Sequence, residues 1–138
     1  MSGIQYSVLP QFAGICSPAQ AAALAASLEH DFRRTPEWRL CASVAAREPS
    51  FNPVKYWRGP VWVNLNWMLY HGLRRYGLEP LAAHLKSDTL QLIERFGMYE
   101  YFDPRPAADG GSEQGLGAEA FSWTAAVYLD LRLNDAAL

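Results

Sequence analysis

Apolar residues recur at helical spacing in four stretches of the chain, and the first lies near the amino terminus. Its large apolar side chains are four residues apart, at Leu24, Leu28 and Phe32. This spacing places them on one face and predicts a helix from about Pro18 to Arg34. Ser17 and Gln20 have the spacing of a capping box, with proline at the first helical position, and Thr35-Pro36 is expected to end the helix.

The other three stretches predict helices whose ends are mostly marked by proline or glycine. The sequence VWVNLNWMLYHGLRRY follows Pro60 and leads to Gly77, a residue suited to the position after a helix end. A third helix is predicted from near Pro80 to about Phe96, with Gly97 as its cap. The fourth, Ala118–Leu133, is apolar on nearly every side, which is typical of a helix buried between neighbours.

Between these stretches the sequence contains no confident strand pattern and no repeat of fixed period. The pattern therefore predicts an all-α chain of about four helices, with antiparallel hairpins favoured by the short connection at Gly77–Glu79. Two longer connections, Glu37–Pro60 and Gly97–Trp123, are rich in proline, glycine and aromatic residues. Loops of this length are often functional.

Composition narrows the class of protein without identifying its chemistry. With 138 residues, 50% of them hydrophobic, the chain is long enough to bury a core as one domain or part of a larger one. A net charge of -2 gives no electrostatic footprint for nucleic acid or an anionic membrane. Met1–Pro10 lacks the pattern of a signal peptide, and no apolar run suits a membrane span. Cys16 and Cys41 form no metal-spaced set, so reduced thiols and a cytoplasmic location are expected.

The second long connection begins with one carboxylate among aromatic residues. Glu100 is flanked by Tyr99, Tyr101 and Phe102, and a loop rich in proline and glycine follows. A carboxylate walled by rings is partly desolvated, which suits proton transfer, and aromatic faces beside it suit the apolar faces of sugars. The alternative is a helix end whose aromatic side chains fill the core while Glu100 points to water.

Several familiar catalytic patterns are absent from the sequence. There is no GxSxG nucleophile elbow and no HExxH metal motif, so His71 and His84 are expected on a helix surface or at the edge of the core. The sequence GLGAEA at Gly115–Ala120 imitates a dinucleotide fingerprint. That motif requires a preceding strand, and a Pro- and Gly-rich loop precedes it here, so a nucleotide site is rejected.

Aromatic, carboxamide and charged side chains are concentrated at or near the predicted helix ends. They are Tyr56, Trp57, Arg58, Trp62, Asn64, Asn66, Trp67, Glu100, Gln114 and Trp123. Sugar-binding sites combine such groups, because rings stack on sugar faces while amides and guanidinium groups bond to hydroxyls. A Trp-rich helical core with capped ends is the alternative.

Two segments carry a resemblance to a known family. Lys55–Tyr76, KYWRGPVWVNLNWMLYHGLRRY, resembles the YWRGP-[IV]-W-[IV]-N-x-N-[WY] segment of glycoside hydrolase family 63. Gly97–Leu131, with its EYFDP box, Gly-rich loop and FSWTA sequence, is similar to the closing segment of that family. Within the family, the bacterial mannosylglycerate and glucosylglycerate hydrolases look most alike. The two motifs occur in the same order as in the family, over roughly Pro10–Leu133.

The resemblance implies that residues 1–138 are the C-terminal part of an (α/α)6 toroid, the catalytic domain of an inverting glycosidase. Glu100 matches the general base, and Tyr56 and Trp57 match positions that line the pocket for the sugar and its aglycone. Gln114 lies in the loop that reaches the glycerate end, and Arg58 either pairs with a substrate carboxylate or forms a structural ion pair. The remaining candidate substrate contacts are Trp62 and Trp123. The chemistry implies no metal and no organic cofactor.

One catalytic group of the family has no counterpart in this chain. The general acid is an aspartate in a segment well upstream, and none of the aspartates here stands in a matching context: Asp31, Asp88, Asp103, Asp109, Asp130 and Asp135. About four helices also cannot close a ring of twelve. The expected partners are a small glycoside, and either the rest of the toroid or a second copy of the chain. The alternative function is a non-catalytic helical module that binds sugars or completes another chain's toroid.

Overall fold

The computed structural model describes residues 9–32, 41–105 and 114–134. Its helices are α1 (Pro18–Ser27), α2 (Val63–Arg75), α3 (Glu79–Phe96) and α4 (Ser122–Leu133), and residues 9–12 are also helical. A π-helical turn at Leu28–Phe32 extends α1, and Tyr56–Arg58 forms a 3₁₀ turn. Two short strands, β1 (Tyr101–Phe102) and β2 (Gly115–Leu116), pair antiparallel.

Local sequence determines how α1 begins. The Gln20 backbone N–H donates to the Ser17 hydroxyl at 3.3 Å, and the Ser17 backbone N–H donates to the Gln20 side chain at 2.8 Å. Pro18 occupies the first turn. The capping box is therefore confirmed. The predicted end of this helix near Arg34 lies outside the described residues.

Helices α2 and α3 form an antiparallel hairpin whose turn is encoded by Gly77. This residue has a φ of 71°, which favours glycine. Its N–H donates to the Arg74 carbonyl at 2.9 Å, and the Leu78 N–H donates to the Leu73 carbonyl at 3.0 Å. These are the two bonds of a Schellman motif, so the predicted glycine cap is confirmed.

The segment before α2 is extended, so the helix begins three residues later than Pro60. The backbone of Val61 exchanges two hydrogen bonds with Phe102, both 2.9 Å long, and Trp62 is also extended. The buried side-chain amide of Asn66 then joins α2 to the segment at Cys41. The Asn66 side chain accepts from the Cys41 N–H at 3.0 Å and donates to the Cys41 carbonyl at 3.2 Å. These contacts satisfy the Asn66 amide, which is only 1% exposed.

Helix α4 packs against both α2 and α3, and the shared core includes Leu69, Leu73, Ile93 and Leu131. The prediction that this helix is buried on nearly every side is wrong for the described chain, because Leu129 and Leu133 are exposed. Its predicted start at Ala118 is also wrong. The Ala118 backbone is bonded to Glu100, and Ala120 is left-handed with a φ of 51°. These features hold the chain out of the helix until Ser122.

The two short strands were not predicted. Each has only two residues, too few for alternation of apolar and polar positions to be recognised. Among the described helices, none is both long and apolar enough to cross a lipid bilayer.

Candidate functional site

Glu100 is positioned by the end of α3 and the start of β1. Gly97, with a φ of 97°, ends α3 and donates its N–H to the Ile93 carbonyl at 2.8 Å. The chain then turns so that Glu100 directly precedes β1 and lies opposite the segment after β2. Its backbone N–H donates to the Ala118 carbonyl at 3.0 Å, and its Oε2 accepts the Ala118 N–H at 3.2 Å. The half-buried carboxylate thus has one oxygen held by the backbone.

Three aromatic rings form a stack that ends beside Glu100. Trp57 lies on Trp62 with 3.6 Å between the ring centroids and 8° between the planes. Trp62 in turn lies 5.1 Å from Tyr101 at 26°. The ring of Tyr56 meets all three edge-on at 5.0–5.8 Å. The sequence neighbour of Glu100 is therefore one end of an aromatic cluster drawn from two distant motifs.

The loop that carries Tyr56 and Trp57 is tightly held. Tyr56 has a φ of 43°, rare for a residue with a side chain, and its carbonyl accepts the Trp62 indole N–H at 3.1 Å. At Gly59, a Cβ would lie 2.3 Å from the Asn52 carbonyl oxygen, so only glycine fits. Strained backbone of this kind is frequent at binding and catalytic sites.

The three tryptophans of the predicted site differ in exposure. Trp62 is only 2% exposed, because Trp57 and Tyr101 lie on either side of it. Trp57 is half-buried, and Tyr56 beside it is 50% exposed. Trp123 is 47% exposed in the first turn of α4, and within the described chain its ring does not join the stack.

The two remaining predicted contacts, Arg58 and Gln114, are both exposed. The Arg58 backbone closes the loop, since its carbonyl accepts the Asn52 N–H at 2.7 Å. No carboxylate among the described residues forms an ion pair with the Arg58 guanidinium. Gln114 opens the segment leading to β2, where its carbonyl accepts the Asp103 N–H at 3.1 Å.

An ion pair between the buried Asp103 and the half-buried Arg105 follows β1. Apart from the EYFDP box, no pattern in the sequence indicated this pair. Asp103 is buried, and its two carboxylate oxygens accept from the Arg105 guanidinium at 3.1 and 2.8 Å. The Arg105 backbone N–H adds a third bond at 3.0 Å. The hydrogen bond to Asp103 raises the pKa of the Arg105 guanidinium. This arrangement holds the chain in place directly after β1.

A second polar cluster links α2 to α4. Asp130 accepts the Trp67 indole N–H at 2.6 Å and lies 3.4 Å from His71 Nε2, and the Asn134 side chain donates to its other oxygen at 2.9 Å. Burial lowers the pKa of His71 despite the nearby carboxylate. For Asp130, burial acts to raise the pKa, but the hydrogen bonds from Trp67, Asn134 and His71 together outweigh it and lower the pKa. His71 is thus buried at the edge of the core, which is one of the two positions expected from the sequence.

A metal site is not evident in the described parts of the chain. No group of three or more histidine, cysteine, aspartate or glutamate side chains there is arranged to hold an ion. Cys41 is buried, and burial raises the pKa of its thiol to about 12, which keeps it protonated.

The sequence is similar to characterised enzymes over most of its length. The family described as "Mannosylglycerate hydrolase MGH1-like glycoside hydrolase domain" matches residues 5–124. A mannosylglycerate hydrolase from Thermus thermophilus is 46% identical over 121 residues, or 88% of this chain and 27% of that protein. A glucosylglycerate hydrolase from Mycolicibacterium hassiacum is 33% identical over 94 residues, or 68% of this chain and 20% of that protein.

The fold is similar to part of a solved enzyme. The crystal structure of the GH63 mannosylglycerate hydrolase from Thermus thermophilus in complex with Tris and D-glycerate matches with a TM-score of 0.76 at 46% identity. The match covers 88% of this chain and 28% of that one. The prediction of a mostly helical chain that corresponds to part of a larger helical toroid is therefore confirmed.

Proposed function

Because the chain belongs to the mannosylglycerate hydrolase MGH1-like glycoside hydrolase family, in GH63, we propose that it is the C-terminal part of an inverting glycoside hydrolase. The reaction would be hydrolysis of the α-glycosidic bond of mannosylglycerate or glucosylglycerate. The observation that carries the proposal is the placement of Glu100, a backbone-held carboxylate beside an aromatic stack. Both features come from the two motifs on which the resemblance rests.

Glu100 would act as the general base. In an inverting glycosidase a carboxylate removes a proton from the water that attacks the anomeric carbon, while a carboxylic acid protonates the leaving oxygen from the opposite side. The Ala118 N–H occupies Oε2 of Glu100. The same side chain is half-buried rather than enclosed, which leaves it able to meet a water. Oε1 is then the atom proposed to accept the proton.

The aromatic groups would form one wall of the sugar site. Tyr56 and Trp57 retain exposure, so their rings are proposed to contact the sugar and its aglycone. Trp62 is buried behind Trp57 and is proposed to act by holding that ring in place. Trp123 and Gln114, both exposed, are proposed as further contacts, with Gln114 toward the glycerate end.

Arg58 is the candidate for the charged end of the substrate. Glycosides of glycerate carry a carboxylate, and a guanidinium can bind a carboxylate through two parallel hydrogen bonds. Within the described residues Arg58 has no ion-pair partner, and it follows directly on the exposed Tyr56 and the half-buried Trp57. These observations favour the substrate-binding interpretation over a structural ion pair.

The general acid and the remainder of the pocket would come from the part of the enzyme that this chain does not match. The chain spans 27% of the length of the Thermus relative. Two of its aspartates are engaged elsewhere, Asp103 by Arg105 and Asp130 by Trp67. Loss of general-acid assistance alone costs about 10²–10⁴-fold in rate. We therefore expect little or no hydrolysis by the 138-residue chain alone, and its exposed α4 residues Leu129 and Leu133 are proposed to pack against the missing helices.

A chimeric enzyme tests the proposal. This chain would replace the matching region of the Thermus thermophilus mannosylglycerate hydrolase, and release of mannose from mannosylglycerate would be measured. We expect activity in the chimera and a loss of about 10²–10⁴-fold in kcat on Glu100→Gln. Glu119→Gln is the matched control, since that carboxylate directly follows Ala118, which bonds to Glu100, but itself accepts from the Tyr99 hydroxyl. Equal activity of Glu100→Gln and the parent chimera would refute the role of Glu100.

The alternative is a non-catalytic module that binds sugars or completes another toroid. The 138-residue chain alone distinguishes this by calorimetric titration with mannosylglycerate and glucosylglycerate. Binding that weakens on Trp57→Ala, together with an inactive but folded chimera, would favour the module over the enzyme.

A further inference from the structure

The pairing register between β1 and β2 changes next to Glu100. Phe102 pairs with Gly115 and Tyr101 pairs with Leu116. Continued in step, Glu100 would face Gly117, but its backbone N–H instead donates to the carbonyl of Ala118. Two residues of one segment therefore oppose one residue of the other, which defines a β-bulge.

Two independent features of the structure favour glycine at position 117. Its φ of 76° is left-handed, a conformation typical of the glycine in a bulge. A Cβ here would also lie 2.6 Å from Glu100 Oε2 and 2.7 Å from the Tyr101 ring. Bulges next to active sites re-aim side chains, and here the extra residue turns the Ala118 N–H onto the carboxylate at 3.2 Å.

We propose that Gly117 is a positioning residue for the general base. Its bulge presents the Ala118 N–H to Oε2 of Glu100, and its missing side chain leaves the space that this oxygen occupies. The carboxylate is thereby fixed in one orientation, with Oε1 toward the attacking water. This inference rests on the proposed role of Glu100 in catalysis, and it adds the element that sets the geometry of that group.

Gly77 provides a control that distinguishes the effect of backbone strain from the effect of displacing the Glu100 carboxylate. Gly77 has a φ of 71°, close to that of Gly117, but no atom lies within 4 Å of where its Cβ would be. Alanine at either position therefore meets a similar left-handed backbone penalty. Only alanine at position 117 also collides with Glu100 and the Tyr101 ring. Gly77→Ala is thus a matched control for Gly117→Ala.

The first test follows the Ala118 amide proton by NMR in the 138-residue chain as the pH is lowered. An amide bonded to a carboxylate changes its proton shift when that carboxylate is protonated. We expect a shift in the parent chain and in Gly77→Ala that is absent in Glu100→Gln and lost in Gly117→Ala. An Ala118 shift that persists in Gly117→Ala would overturn the inference. If Gly117→Ala does not fold, the comparison of the parent chain with Glu100→Gln decides, and an equal response in both would overturn it.

The second test measures kinetics in the chimera. A misplacement of about 1 Å in a catalytic group can cost about 100-fold in rate, so we expect Gly117→Ala to lower kcat by about that factor with little change in KM. Gly77→Ala is expected to retain the parent kcat. Equal kcat values for the two variants would overturn the inference. If Glu100→Gln were fully active, the proposed function would fail, whereas the Ala118 measurement would still report on the hydrogen bond from the Ala118 N–H to the Glu100 carboxylate.

Discussion

Replacing Trp62 by alanine removes the middle ring of the aromatic stack and tests whether the stack is also part of the core. Trp62 is 2% exposed, lies between Trp57 and Tyr101, and donates its indole N–H to the Tyr56 carbonyl at 3.1 Å. A large aromatic side chain buries about 150–250 Å², and at about 25 cal/mol per Å² this corresponds to about 4–6 kcal/mol as an upper estimate. Measured costs of truncating a buried tryptophan to alanine are about 3–5 kcal/mol.

We therefore expect Trp62→Ala to lower the free energy of unfolding by about 3–5 kcal/mol, a large part of the about 5–15 kcal/mol typical of a domain. Urea denaturation followed by circular dichroism, with a common m-value, measures the difference. Trp123→Ala is the matched control, because the same side chain is 47% exposed at the start of α4. It is expected to cost less than about 1 kcal/mol. Equal losses for the two variants would refute the assignment of Trp62 to the core.

Three further predictions concern the ionisable side chains of His71, Asp103 and Arg58. Burial lowers the pKa of His71, so the unfolded chain binds the proton more tightly, and the free energy of unfolding should fall as the pH drops below about 6.5. Denaturation at pH 7.5 and 5.5 should show this loss diminished in His71→Gln but unchanged in the exposed His84→Gln; an undiminished loss in His71→Gln would contradict it. Asp103→Asn breaks the paired bonds to Arg105 and should cost about 1–3 kcal/mol in thermal or urea unfolding, with a neutral result excluding a stabilising role. Arg58→Leu in the chimera should raise KM for mannosylglycerate at least about 10-fold while leaving inhibition by free mannose unaltered, and equal effects on both would remove the guanidinium from the glycerate site.

Features determined by neighbouring residues could be predicted from the sequence. The capping box at Ser17 and Gln20 and the glycine cap at Gly77 depend only on residues a few positions apart, and both are present. The family resemblance was predictable for a different reason, since two long motifs keep their residue order. It is confirmed by the match over residues 5–124.

Features that depend on distant residues could not be predicted. Ala118 and Glu119 are good helix formers, so propensity favours a longer α4, but the bonds between Ala118 and Glu100 override it. The partners His71 and Asp130 are 59 residues apart, and no local pattern connects them. In both cases tertiary contacts, rather than local preference, decide the outcome.

The candidate site divides in the same way. Glu100 and its aromatic neighbours are adjacent in sequence, so their association was predictable. The stack of Tyr101 on Trp62 and Trp57 joins two motifs about 40 residues apart and needed the structure. The role of Gly117 could not be predicted from the sequence either, because the GLGAEA segment that contains it imitates a nucleotide-binding motif.

The configuration of the sugar released by the chimera tests the central claim most directly. Proton NMR can follow the anomeric signal during hydrolysis of α-mannosylglycerate, before the free sugar equilibrates. If Glu100 activates a water for inverting attack, β-mannose should appear first, and Glu100→Gln should suppress its formation. Initial release of α-mannose, or unchanged release by Glu100→Gln, would contradict the assignment of Glu100 as the general base of an inverting enzyme.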